Sequence, residues 1–120
     1  RERTAFGRPI GSNQGVAFPL ADLDVAVENS TLLVYKAAAL KDAGADPATV
    51  ARAAARAKLY ATEAAVSATR VATQVFGGYG FVEEYPVARF YRDAKILEVG
   101  EGTSEVQRLV LARALGLPVG

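Results

Sequence analysis

The 120-residue chain contains no His, no Cys, no Met and no Trp. Without Cys it has neither disulfides nor thiolate metal sites, and without His it lacks the commonest metal ligand. The usual general base and the usual nucleophile are both missing, so a carboxylate is the natural candidate for any proton chemistry. Met is absent even at position 1. Translation starts at Met, so the sequence reads as processed, as cleaved from a tag, or as part of a longer polypeptide. The last is favoured, because Arg1 to Phe6 carry no helix cap and no start of a periodic pattern. Net charge is only +1, which gives no strong field to draw nucleic acid or an anionic membrane. No apolar run approaches the roughly 20 residues of a membrane span. The first residues also lack the apolar segment of a secretory signal.

What is present is the composition of a globular domain, 51% hydrophobic and 22% charged. A single domain of this length can bury roughly two-thirds of its unfolded surface. Residues 1–12 form a polar lead-in punctuated by Gly7, Pro9 and Gly11, expected to be extended. No segment carries a convincing strand pattern. A helical pattern begins near Asn13 and runs to about Asp42, with Val16, Leu20, Leu23, Val27, Val34 and Ala38 at helical spacing. Pro19 should kink its start or move it later, and Gly44 closes it. Asp46-Pro47 opens a second helix: Asp caps free backbone N–H groups, and Pro at the first position loses nothing. That helix runs to about Phe76 and is rich in alanine, with Ala53, Ala54, Ala57, Ala61, Ala64, Ala65 and Ala68. Alanine favours the helix and lets neighbours approach closely. About thirty residues at 1.5 Å each span roughly 45 Å, so this helix must lie against another long one. After Gly77-Gly78-Tyr79-Gly80 and a short connection, Pro86 opens a third helix to about Leu97. Gly100 to Gly102 break the chain again. Thr103 or Ser104 caps the last helix, and Ser104 with Gln107 matches a capping box; Gly116 and Pro118 stop it. The sum is an all-α, up-and-down four-helix bundle with two long and two shorter helices.

Spacing alone leaves the chemistry open. The Gly77-Gly78-Tyr79-Gly80 cluster reads first as a helix C-cap and turn, with a phosphate cradle as the alternative. Arg89, Arg92, Asp93 and Lys95 read as a solvated face with local ion pairs, and Glu83 and Glu84 as surface residues. Glu101 sits beside a helix N-terminus, where the dipole favours negative charge. By spacing it is an ordinary N-terminal acid before it is a base, since carboxylates tuned for catalysis are the minority.

An ordered set of motifs adds a resemblance. Arg3-Thr4-Ala5-Phe6-Gly7 with Gln14 is followed by Gln74-Val75-Phe76-Gly77-Gly78-Tyr79-Gly80 and by Glu84-Tyr85-Pro86-Val87 with Arg89. Arg92-Asp93-Ala94-Lys95-Ile96 and Glu101-Gly102-Thr103-Ser104-Glu105-Val106-Gln107-Arg108 complete it. Across nearly the whole chain this resembles the C-terminal helical domain of flavin-dependent acyl-CoA dehydrogenases. The resemblance implies oxidation of an acyl-CoA thioester to the trans-2-enoyl-CoA, with FAD as cofactor and an electron-transfer flavoprotein as electron acceptor. It places Glu101 at the position of the α-proton base, and Gly102 where the thioester approaches. Thr103 and Glu105 match flavin contacts in the same subunit. Arg3, Phe6, Gln14, Gln74, Val75, Phe76, Gly77 and Gly78 match residues that meet the FAD of a neighbouring subunit, which implies a homodimer or homotetramer. No metal is implied.

Family members are about three times this length, so residues 1–120 correspond to the helical C-terminal domain without the N-terminal helical and central β domains. On that ground the chain alone is expected to bind FAD weakly or not at all and to be inactive by itself. Two other readings stay open: a helical oligomerisation module without catalysis, and an acyl-CoA oxidase-like relative with the same scaffold. High alanine and a preference for Arg over Lys hint at a GC-rich bacterial source, and with it a cytoplasmic location.

Overall fold

The computed structural model describes residues 2–119; Arg1, the first residue of the lead-in, and Gly120 lie outside the described residues. The lead-in is not simply extended. Strand β1 (Thr4–Ala5) pairs antiparallel with β2 (Arg8–Pro9), and the Ile10 N–H continues the ladder to the Arg3 carbonyl at 3.0 Å. The two-residue loop has Phe6 at φ 55° and Gly7 at φ 78°. Positive φ at both central positions matches the twist of a tight hairpin, and Gly7 adopts it without strain. A strand of two residues is too short for any alternating pattern, which is why the sequence carried no sign of it. A 3-10 turn over Ile10–Ser12 leads into the first helix.

Helix α1 (Gln14–Asp42) starts where the pattern places it and keeps Pro19 inside. Pro19 removes the one intrahelical bond to the Gly15 carbonyl but does not move the start. At the other end the Ala45 N–H reaches the Leu40 carbonyl and the Gly44 N–H the Lys41 carbonyl, with Gly44 at φ 69°. This left-handed glycine cap turns the chain back on itself. Helix α2 (Pro47–Phe76) is capped as expected, the Thr49 N–H donating to Asp46 Oδ1 at 3.0 Å. Helix α3 spans Pro86–Val99 and α4 spans Ser104–Ala114.

Helices α1, α3 and α4 each pack on α2, which is the spine of the bundle. The buried apolar residues among those described are small: Ala53, Ala55 and Ala57 on α2, with Val87 and Ala94 on α3. The α1 face toward α2 differs from the expected one. Val16, Pro19, Leu23, Ala26, Ser30, Leu33, Ala37 and Leu40 are half-buried and alternate at three and four, with Ala17 half-buried beside them. Leu20, Val27, Val34 and Ala38 are exposed instead. Helix α1 therefore carries two apolar stripes, and periodicity could not tell which one faces α2. The molecule is long and thin, 57 × 27 × 23 Å with a radius of gyration of 18.0 Å, where a compact chain of this length would have about 14 Å.

Candidate active site

The loop between α3 and α4 is built around two consecutive left-handed residues. The Gly100 N–H closes α3 onto the Ile96 carbonyl at 2.8 Å. Glu101 then takes φ 56° and Gly102 φ 91°. For a side chain such as glutamate this conformation costs about 1–3 kcal/mol, so the surroundings must hold it. Two side chains do. Lys58 Nζ, half-buried on α2, donates to the Gly102 carbonyl at 2.6 Å. Gln107 Nε2, on α4, donates to the same carbonyl at 3.2 Å and approaches the Glu101 carbonyl at 3.4 Å. A Cβ on Gly102 would lie 2.9 Å from Gln107 Nε2. The Glu101 side chain is exposed, and its carboxylate has no hydrogen-bond or ion-pair partner among the described residues.

The capping of α4 differs from the expected box. Thr103 is the cap, its hydroxyl oxygen accepting from the Val106 N–H at 3.3 Å. Ser104 is the first helical residue and is buried, with no partner for its hydroxyl among the described residues. Gln107 turns back to the loop because that carbonyl lies within reach. The acid in the first turn is Glu105, not Glu101, which lies two residues before the cap. The Glu105 carboxyl is held below its ordinary range, chiefly by its own backbone N–H and next by the Thr103 hydroxyl.

The second group of expected site residues gathers at the other end of α2. Arg3 Nη1 donates to the Phe76 carbonyl at 3.3 Å, tying the hairpin to the helix end. Arg3, Val75 and Phe76 line one cleft, edged by Tyr79 and Tyr85. The Tyr85 ring meets Phe76 edge-on at 6.0 Å and Tyr79 at 5.2 Å. Gln74 and Gly77 line a separate cleft with Arg70 and Arg92. Phe6, at the hairpin tip, is 99% exposed, and Gln14 is exposed at the first position of α1. The glycines of the turn divide by cause. Gly80 is needed by the chain itself, since a Cβ would meet the Thr73 carbonyl oxygen at 2.5 Å. Gly78 meets nothing within 4 Å and has no left-handed φ, so no contact inside the chain asks for glycine there. Arg92 pairs with Glu83 at 2.7 Å, both exposed, as a solvated charged face should; Lys95 pairs with Glu98, whose side chain is only 16% exposed.

From Lys58 to Phe76 is roughly 27 Å along the α2 axis. The Glu101 loop and the Arg3–Phe76–Gly77 group are thus well separated within one chain. Lys58 and Gln107 were not singled out by their sequence pattern as site residues. The available signal for Lys58 was a lone charge flanked by Ala55 and Ala61 on the buried side of α2. No group of three or more His, Cys, Asp or Glu able to hold a metal occurs among the described residues, and none of the described helices is long and apolar enough to cross a membrane.

Residues 1–116 match the family model described as acyl-CoA dehydrogenase, C-terminal domain. The chain belongs to the acyl-CoA dehydrogenase family. Among curated proteins it is 55% identical over 112 residues to the short-chain specific acyl-CoA dehydrogenase of Clostridium acetobutylicum, covering 93% of this chain and 29% of that protein. Among solved structures, butyryl-CoA dehydrogenase from Megasphaera elsdenii superposes with a TM-score of 0.89 at 46% identity, covering 95% of this chain and 29% of that one. The prolyl acyl carrier protein oxidase AnaB superposes with a TM-score of 0.92 at 35% identity, covering 98% and 30%. The chain thus spans less than a third of the acyl-CoA dehydrogenases and relatives that it matches.

Proposed function

We propose that this chain is the base-carrying domain of an FAD-dependent acyl-CoA dehydrogenase, with Glu101 removing the α-proton of the thioester. One observation carries the reading. Glu101 is the acid held in a strained, doubly anchored loop, with its carboxylate unpaired and free to meet a ligand. Strain of this kind is retained at functional sites when the surroundings enforce it. The reaction removes the α-proton to the Glu101 carboxylate and leaves the α C–H electron pair to form the double bond. The β C–H pair departs as hydride, and FAD, when bound, supplies the acceptor for it. The α-proton is weakly acidic, so the developing enolate oxygen needs hydrogen-bond donors; the Glu101 backbone N–H is one candidate. Gly102 leaves the approach to the thioester open, and Thr103 and Glu105 flank the same loop on the cofactor side.

The far group fits the edge of a second cofactor. Arg3 offers an anchored guanidinium beside the turn, and Gly78 has free space where a Cβ would otherwise stand. The separation of roughly 27 Å from the Glu101 loop supports contacts of the two groups with two different cofactors, and so an oligomer. Similarity to short-chain dehydrogenases supports a short acyl-CoA as substrate. Similarity, at 44% identity and a TM-score of 0.90, to a chain solved in work on the electron transferring flavoprotein of Acidaminococcus fermentans supports such a flavoprotein as acceptor. The likeness to an oxidase keeps one finer alternative, which the rate of reaction of the reduced flavin with oxygen separates. The chain by itself is proposed to bind FAD weakly or not at all, because it spans only 29% of the clostridial relative.

The test is Glu101→Gln in the flavin-loaded enzyme. Loss of a positioned general base predicts a fall in turnover of about 10²- to 10⁴-fold, with assembly retained. Wild-type turnover would leave the chain an assembly module or move the base elsewhere.

A further inference from the structure

Lys58 belongs to α2, the helix that supplies the core, yet its ammonium is committed to a carbonyl in the loop of Glu101. A lysine on a buried helix face is costly unless its charge finds a partner. Here the partner is not a carboxylate but the Gly102 carbonyl, at 2.6 Å. Gln107 Nε2 also donates to the same oxygen, at 3.2 Å. One carbonyl is therefore gripped by two side chains, from α2 and from α4, directly after the left-handed Glu101. Fixing that oxygen fixes the peptide plane following Gly102. The reach of Gln107 Nε2 toward the Glu101 carbonyl, at 3.4 Å, restrains the plane before it. Each plane that is held removes one torsion through which Glu101 could relax out of its strained conformation.

We propose that Lys58 is a positioning residue, with Gln107 as its weaker partner: together they clamp the Gly102 carbonyl and so hold the Glu101 carboxylate where it meets the α-carbon of the thioester. The proposal rests on the reading of Glu101 as the base. Lys58 touches neither substrate nor cofactor in it. It acts through the backbone, by sparing the enzyme the search for the reactive orientation at each turnover. A misplacement of about 1 Å can cost on the order of 10²-fold in rate, so the effect is read in kcat more than in KM.

The experiment compares Lys58→Met, Lys58→Arg and wild type in the flavin-loaded enzyme by two readouts. Amide hydrogen exchange over residues 100–103 reports the clamp without reference to activity. Lys58→Met keeps the length of the side chain and removes the donor. It is expected to speed exchange in that segment about tenfold or more, the scale of losing one charge-assisted hydrogen bond. It should lower kcat by about 10- to 100-fold with KM changed far less. Lys58→Arg restores a donor and should recover the slow exchange and most of kcat. Should Lys58→Met fail to fold, Gln107→Leu removes the other donor to the same oxygen and is expected to move both readouts in the same direction, by less. Wild-type exchange and kcat in Lys58→Met would overturn the proposal, as would a fall in kcat with exchange at residues 100–103 unchanged. If Glu101→Gln keeps its rate, the reading of Glu101 fails, while the exchange arm still decides whether the clamp exists.

Discussion

Residues 101 and 102 set the requirements of the loop. Replacing Gly102 by Ala puts a Cβ at φ 91° and 2.9 Å from Gln107 Nε2. We expect a loss of about 1–3 kcal/mol in unfolding free energy, read by denaturant titration. Gly78→Ala is the contrast. With nothing within 4 Å and no left-handed φ, it should leave stability near wild type while weakening FAD retention in the assembled enzyme. Unchanged FAD affinity would argue that the turn does not meet the cofactor. The motif order made Glu101, Gly102 and Gly78 legible as candidates. Their physical difference was not legible, because it depends on which atoms stand opposite each glycine. Lys58 was hidden for the same reason: its partner lies 44 positions away in sequence.

The four helices were legible as elements, and α2 begins and ends at the residues where Asp46-Pro47 and Gly77 place it. Those are local signals, complete within a few residues. Where local signals competed, the outcome was decided by reach. Thr103 rather than Ser104 caps α4, because Ser104 is turned into the interior. Thr103→Ala should therefore cost about 1 kcal/mol, measurable by thermal unfolding. The hairpin at Thr4–Pro9 was missed because its strands are shorter than any pattern. A pH dependence belongs to the helix starts. The Asp46 carboxyl is held below its ordinary range, first by the Thr49 side chain and then by the Thr49 backbone N–H. A depressed carboxyl contributes stability that is complete above its unfolded value and lost as pH falls through its folded one. Asp46→Ala should thus lower the unfolding midpoint at neutral pH, and the gap to wild type should close below about pH 4. A gap that persists in acid would mean that the cap acts through shape rather than charge.

For the whole molecule, the central fact is an incomplete enclosure. Helix α1 lays one apolar stripe on α2 and leaves a second outside, Leu20, Val27 and Val34, with Phe18, Val25 and Leu32 also exposed on the opposite side of the helix. A helix that is apolar on both sides is normally buried on both. The shape of 57 × 27 × 23 Å gives this surface no cover within the chain, and a second subunit is the proposed cover. Val27→Asp should then weaken assembly of the enzyme, seen as a lower mass in sedimentation, while leaving the fold of each subunit intact. An unchanged mass would place the interface elsewhere. The role of Glu101 is tested most directly by one single-turnover experiment: anaerobic mixing of butyryl-CoA with the flavin-loaded enzyme, wild type against Glu101→Gln, following the flavin absorbance. If Glu101 is the base, the variant binds the thioester but its flavin is reduced at least about 100-fold more slowly. Flavin reduction at the wild-type rate would contradict it.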